Sequence, residues 1–286
     1  MREFFIQNEY GQQIQLQWGN IFFWEPAGLG FEESIEYMEA DGFFIETKKL
    51  PTQVEKTGTL VFWKDNAYQN YDQFMAWVLL AQRLTFAYKP VNDWYYIDVN
   101  ISRVEKSELT EYGGLEVPIV FQPLTPWYSP YDLNLIATGD NPSEIKTYSY
   151  TYPYRYTDNQ RLGDLSFVLD SQIPSAFSLT LPGYIESPVI TFSRQDTQET
   201  LGVIDLTDVT VETGETLVYN GVPTKAGVYL QTPSGNTDLI SQIGLSAENP
   251  AFFYLPPQVP LKVSTVGTST QTVSLYLTVY RYYRTV

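Results

Sequence analysis

The stretch that decides the fold is Tyr71-Asp72-Gln73-Phe74-Met75-Ala76-Trp77-Val78-Leu79-Leu80-Ala81. Its apolar residues recur at i, i+3, i+4 and i+7, the spacing of one helix face: Phe74, Trp77, Val78 and Ala81. We therefore predict a helix over residues 71–83, capped by Asn70 or Asp72. No other part of the sequence has this pattern over the length of a helix, so we expect one helix in a protein that is otherwise built of β-strands.

The segments around this helix have the alternating character of strands. Residues 94–104 predict a long strand, and residues 115–124 predict a returning strand after the turn at Gly113-Gly114. Before the helix, we expect the segments 42–50 and 58–63 to pair with each other. Long antiparallel strands with a single packed helix predict an α+β domain over residues 1–136.

The second half of the chain contains short strands separated by turns. It follows a polar, turn-rich linker at residues 137–143, the composition that domain boundaries tend to have. Turns such as Pro182-Gly183 and Asn220-Gly221 separate the strands at short intervals. This spacing predicts a β-sandwich of jelly-roll or lectin-like type over residues 137–286, and a mainly β fold class for the whole chain.

The composition excludes several kinds of chemistry. The chain has no cysteine and no histidine, so disulfides, Cys or His metal sites and nucleophile–imidazole pairs are excluded. We expect a protein that is not an enzyme, has no catalytic residues and needs neither a metal nor another cofactor. No apolar run is long enough to cross a membrane, and the N-terminal residues have no signal-peptide pattern.

The charge of the chain is strongly negative. Its 286 residues include 17 Lys and Arg against 33 Asp and Glu, a formal net charge of −16 at pH 7. Binding to nucleic acid through phosphates needs clusters of basic residues, and the sequence has none. An acidic surface would instead keep DNA from adhering to the wall of a channel.

One acidic cluster could be read in two ways. It consists of Glu32, Glu33, Glu36, Glu39 and Asp41. Carboxylates are the ligands that hard cations prefer, but the spacing of a calcium-binding EF-hand loop is absent. We predict that these residues form a solvated face of the protein.

Two aromatic segments are candidate interfaces. Tyrosines recur at every second position between residues 148 and 156, which places them on one face of an extended strand: Tyr148, Tyr150, Tyr152, Tyr154 and Tyr156. This row is either a platform for sugar rings or a partner protein, or a strand packed at a sheet edge or domain junction. Near the C-terminus, Arg281 and Arg284 among tyrosines are either cation–π donors to a partner or part of a terminal strand that ends at the surface.

The order of these elements resembles a known family. It comprises the opening strands, the helix, the hairpin across Gly113-Gly114 and the sequence Val117-Pro118-Ile119-Val120-Phe121 before Trp127-Tyr128. In the second half, the matching segments are residues 188–191, 214–218, 252–256 and 280–282. Together they resemble the distal tail (Dit) proteins of siphophages that infect Gram-positive bacteria.

The resemblance implies an N-terminal ring-forming domain and a C-terminal galectin-like sandwich. It also implies a ring, hexameric in the family, at the end of the phage tail. The ring's partners would be further copies of the chain, the tail tube protein, the tail-tip protein and receptor-binding or baseplate proteins, with DNA passing through the lumen unbound. The protein would be made in the host cytoplasm and located in the virion. The alternative function is a carbohydrate-binding adhesion module that uses the tyrosine row.

Overall fold

The protein is mainly β, as predicted, with a single α-helix in the part of the chain that the structure describes. The structure is a computed structural model that describes residues 2–17, 19–63, 66–137, 160–244, 250–269 and 273–286. By its internal contacts the chain divides into two units. The first comprises residues 1–129 and 282–286, and the second comprises residues 130–281.

The first unit contains nine strands and the helix before the division at residue 129. They are β1 Glu3–Asn8, β2 Gln13–Gln15, β3 Ile21–Ala27, β4 Glu32–Ala40, β5 Phe43–Thr52, β6 Lys56–Phe62, α1 Ala67–Leu80, β7 Leu84–Lys89, β8 Tyr95–Val104 and β9 Leu115–Pro123. Two further strands have residues in both units: β10 Trp127–Ala137 and β20 Val273–Tyr283.

Seven strands of the first unit form an antiparallel sheet in the order β3-β6-β9-β8-β7-β1-β2. The two ends of this sheet meet, because the N–H of Phe23 in β3 donates to the carbonyl of Leu16, just after β2, at 2.6 Å. Meeting ends remove the free edges that an open sheet would expose. Strands β4 and β5 take no part in this sheet and pair only with each other.

The core of the first unit is aromatic. Phe86 stacks on Phe121 with ring centroids 5.0 Å apart, and Phe4 packs edge-on against Phe23 at 5.3 Å. These rings come from inward-facing positions of different strands, as the alternation of side chains in a strand requires. Because each ring buries a large apolar area, this cluster supplies much of the unit's stability.

The helix lies four residues earlier than predicted at its start and ends at Leu80 rather than at residue 83. Its N-cap position is Asn66, whose side chain makes no capping hydrogen bond, so the expected cap at Asn70 or Asp72 is wrong. The buried face begins at Ala67 and continues through Phe74 and Val78. Packing of these three residues, rather than a polar cap, therefore sets the start of the helix.

The second unit contains the remaining strands. They are β11 Gln160–Val168, β12 Ile173–Pro182, β13 Ile185–Arg194, β14 Thr200–Asp205, β15 Thr210–Val211, β16 Thr216–Asn220, β17 Gly227–Thr232, β18 Gly235–Asp238 and β19 Pro260–Thr268. One sheet runs β18-β17-β16-β12-β20-β10. The other runs β11-β19-β13-β14, with β15 paired to β13.

A single apolar core draws on both sheets of the second unit. At its centre the ring of Phe177 lies 4.6 Å from Phe192, 5.1 Å from Tyr219 and 5.2 Å from Phe253. Two sheets that share one core are the arrangement of a β-sandwich. The jelly-roll or galectin-like type of this sandwich, and the domain boundary at residues 136 and 137, stay predictions.

The helix of the described chain is too short to cross a membrane.

Candidate docking surfaces

The feature of the first unit that most needs a partner is the hairpin formed by β4 and β5. We call residues 32–52 the arm. All ten residues of β5 are exposed, and β4 is covered only in part. A two-stranded hairpin is only marginally stable alone in water and ordinarily needs a third strand or another packed element. The arm therefore presents both of its faces for contact.

The prediction that residues 42–50 pair with residues 58–63 is wrong. The first of these segments lies in β5 and pairs with β4, whereas the second lies in β6 and pairs with β3 and β9. The acidic residues 32, 33, 36 and 39 lie in β4. The exposure of β5 is not evident from the sequence, because its apolar run 43–45 has the pattern of a buried strand.

The end of the arm is apolar on one face. A β-bulge between Glu36 and Tyr37 divides the arm into a basal and a distal half. In the distal half, Met38 pairs with Ile45 and Ala40 pairs with Phe43, which places these four side chains on the same face. The opposite face carries two aromatic rings and two carboxylates, those of Tyr37, Phe44, Glu39 and Glu46.

The apolar area at the end of the arm is large. Phe43 is 73% exposed and Phe44 is 74% exposed, and Tyr37, Met38 and Ile45 are each about half exposed. Since a fully buried aromatic side chain covers about 150–250 Å², these five residues offer on the order of 500 Å². This area is divided between the two faces of the arm, since Met38, Phe43 and Ile45 lie on one face and Tyr37 and Phe44 on the other. Each face can therefore contribute apolar area to an interface.

The base of the arm is held by a buried lysine. The Nζ atom of Lys56, the first residue of β6, donates to the carbonyls of Gly28 and Gly30, just before β4, and lies 5.9 Å from the ring centroid of Trp127. Gly28 has a φ of 74°, and a Cβ built on it would lie 1.9 Å from the carbonyl oxygen of Glu55. A side chain is therefore excluded where the two ends of the arm meet.

A second contact at the base is a group of three charges. Glu33 accepts from Lys49 at 2.7 Å and also from Arg284, and only 9% of the Glu33 side chain is exposed. The hydrogen bond from Lys49 lowers the pKa of Glu33 below its ordinary value. These bonds tie the arm to the C-terminal residues of the same unit, so its basal half is fixed while its distal half is free.

The predicted site residues have different outcomes. The tyrosine row, Tyr148 to Tyr156, lies outside the described residues. Arg281 donates to Asp170 at 2.9 Å, and its guanidinium lies 5.1 Å from the ring centroid of Tyr131. Arg284 contacts Glu33 at the base of the arm. Both arginines therefore have partners within their own units, and their use by another protein stays a prediction.

A second exposed surface is a groove of about 990 Å³ on the outer face of the first unit's sheet. It lies over β3, β6 and β9, and its lining includes Phe22, Trp24, Glu25, Trp63, Tyr112 and Glu116. Inward neighbours such as Phe23 and Phe62 are buried, so strand alternation directs the lining residues outward. The groove is not evident from the sequence, because its residues come from three separate segments, 19–25, 59–63 and 112–116.

The described residues contain no group of three or more acidic side chains placed to hold a metal ion. The acidic residues of the arm are spread along β4 rather than converging, because alternate residues of a strand point to opposite faces.

Comparison with known proteins agrees with this architecture. Residues 3–124 match the family model of the distal tail protein, N-terminal domain. No curated protein matches the sequence.

Solved structures share the fold of the whole chain. A chain in the phage P2 baseplate in its activated conformation with Ca has a TM-score of 0.71 at 16% identity, with 100% of both chains covered. The SPP1 Dit protein, described as a paradigm of the hub adsorption apparatus in phages that infect Gram-positive bacteria, has a TM-score of 0.60 at 9% identity, with 96% of this chain and 98% of that chain covered. At these identities the likeness is one of fold.

The family match covers β1 to β9 and the helix, including the whole arm and all of the groove's described lining. The resemblance to the distal tail proteins drawn from the sequence is thereby confirmed, since residues 3–124 match the N-terminal domain of that family and a solved Dit protein shares the fold of the chain.

Proposed function

We propose that this protein is the structural hub of a phage tail tip or baseplate and that copies of it assemble into a closed ring of six. The observation that carries the proposal is the arm, whose distal half exposes a wholly apolar face and is fixed only at its base. A surface of that kind is costly to leave in water, and burial against another copy removes the cost.

The arm also favours a ring over a two-fold dimer. At about 3.3 Å per residue, nine residues of β4 extend roughly 30 Å. This is close to the diameter expected for a domain of about 130 residues, whose radius of gyration is roughly 14 Å. An arm of that length can contact a different surface on the next copy. Such head-to-tail contacts close into a ring when the rotation between copies permits it.

As a hub, the ring joins the tail tube protein to the tail-tip protein and to the receptor-binding or baseplate proteins. Residues 1–136 form the ring, and the galectin-like domain 137–286 faces the adhesion proteins. The protein is made in the host cytoplasm, is located in the virion at the tail tip, and performs no catalysis. Its net charge of −16 suits a lumen through which DNA passes without binding.

The experiment that tests self-association is the double substitution Phe43→Ser and Ile45→Ser. We expect it to shift the protein to monomers in solution, because it removes the apolar face that the next copy would cover, while the circular dichroism spectrum stays unchanged. The matched control is Tyr10→Ser, which removes an aromatic side chain that is 74% exposed and lies outside the arm. The proposed role of the arm is wrong if both variants have the same mass distribution as the unmodified protein.

A further inference from the structure

The groove over β3, β6 and β9 has a chemistry of its own. Four aromatic side chains line it, those of Phe22, Trp24, Trp63 and Tyr112, and two of the other lining residues are glutamates. None of its described lining residues is basic. Aromatic faces attract cations through their negative π surface, and carboxylates attract them by charge.

The backbone of β3 places two consecutive residues in this groove. In a regular strand, Trp24 and Glu25 would point to opposite faces of the sheet. The register of β3 against β6 shifts between Trp24 and Ala27, and Glu25 has a φ of 48°, in the left-handed region. This conformation is strained in a residue other than glycine, and bulges commonly re-aim a side chain. Here the bulge brings a carboxylate beside an indole ring.

The two carboxylates of the groove have no side-chain partner within the part of the chain that the structure describes. Among the described residues, neither Glu25 nor Glu116 accepts a side-chain hydrogen bond or forms an ion pair. Glutamates elsewhere in the same unit do have cationic partners, as Glu33 has Lys49 and Glu3 has Lys89 at 3.2 Å. The charge of the groove is therefore available to a ligand.

We propose that this groove binds a basic segment of a different protein, in which lysine or arginine side chains alternate with apolar ones. The apolar residues of that segment cover the rings, and its cations lie between the indoles and the two carboxylates. The distal half of the arm of a further copy is a poor occupant on charge, since it carries Glu39, Asp41 and Glu46 and no basic residue. The site is separate from the arm, so the proposal goes beyond self-association and does not require it.

The test uses two synthetic peptides and the full-length protein. The probe is acetyl-Leu-Lys-Leu-Arg-Leu-Lys-amide, and the neutral peptide acetyl-Leu-Gln-Leu-Gln-Leu-Gln-amide is its comparison. We expect calorimetric titration to show the basic peptide binding about tenfold more tightly than the neutral one, with binding weakened by added salt. Equal affinity of the two peptides would contradict the proposal.

Variants locate the site. We expect Glu25→Gln with Glu116→Gln to weaken binding of the basic peptide about three- to tenfold, and Trp24→Leu with Trp63→Leu to weaken it at least as much. The control, Asp93→Asn with Asp208→Asn, removes the same charge from two exposed positions outside the groove and should leave the affinity unchanged. If the control loses as much affinity for the basic peptide as the Glu25 and Glu116 variant, the binding reflects general attraction to an acidic protein. That result would contradict the proposed site.

The oligomeric state of the groove variants shows whether the groove binds a different protein or a further copy of this chain. Under the proposal, the glutamine and leucine variants of the groove keep the mass distribution of the unmodified protein. If they instead fall apart into monomers, the groove is a contact between copies of this chain, and the assignment to a different, basic partner is wrong.

Discussion

At the scale of single residues, Lys56 combines a positive charge with burial. It is 4% exposed, and desolvation lowers its pKa to about 8. In the unfolded chain the pKa of a lysine is about 10.4. Between these two values the unfolded state binds more protons than the folded state, so this residue makes the free energy of unfolding rise as the pH increases from 8 to 10.

Replacing Lys56 by methionine tests this contribution. The variant has no group that titrates at this position. We therefore expect the unfolding free energy of the unmodified protein minus that of the variant to increase between pH 8 and 10, by at most about 3 kcal/mol. Urea unfolding at a series of pH values measures the difference, in which the titration of the tyrosines cancels. Parallel stability curves would show that the folded protein leaves the pKa of Lys56 unshifted.

Gly202 illustrates how closely the second core is packed. A Cβ on this residue of β14 would lie 2.5 Å from two ring carbons of Phe253, and that ring is itself enclosed by other aromatic rings. We expect Gly202→Ala to lower the free energy of unfolding by about 1–3 kcal/mol, the usual cost of overpacking. Gly227→Ala in β17, where no atom lies within 4 Å of the new Cβ, is the control. Equal stability of the two variants in thermal unfolding would contradict this account.

At the scale of elements, the helix is fixed by its buried face. Phe74 is 2% exposed and lies against Phe62, whereas Leu79 near the C-terminal end is 77% exposed. Phe74→Ala should therefore destabilise the protein by roughly 3–5 kcal/mol, and Leu79→Ala by less than about 0.5 kcal/mol. Urea unfolding of the two variants measures both values. A large loss from Leu79→Ala would mean that the last turn packs more tightly than its exposure indicates.

The same element shows what the sequence reveals and what it hides. The 3.6-residue period of Phe74 and Val78 was enough to predict a helix and its buried side. The start at Ala67 was missed, because alanine and tyrosine give no boundary signal and the capping residue that would have marked it makes no bond. Burial of Ala67 in the apolar core of the first unit fixes this boundary, and periodicity contains no information about such contacts.

The arm was hidden for a related reason. Phe43, Phe44 and Ile45 form an apolar run, and such a run predicts a strand without telling whether the protein's own core or another molecule covers it. In the structure, β5 pairs with β4 and with no other described strand, and all of its residues are exposed. The apolar run is therefore not covered by another element of the described chain. The candidate surfaces could thus be recognised from the structure, whereas the strands that form them could be predicted from the sequence.

At the scale of the whole molecule, we propose that the chain is one subunit of a larger structural assembly. Many exposed aromatic side chains suit a protein that docks against other proteins. The family match of residues 3–124 gives this interpretation its context in the phage tail.

Native mass spectrometry of the unmodified, full-length protein at micromolar concentration tests this claim most directly. The account predicts a dominant species with about six times the 32.8 kDa mass of the single chain. A protein that remains at 32.8 kDa under all conditions of salt and concentration would contradict it.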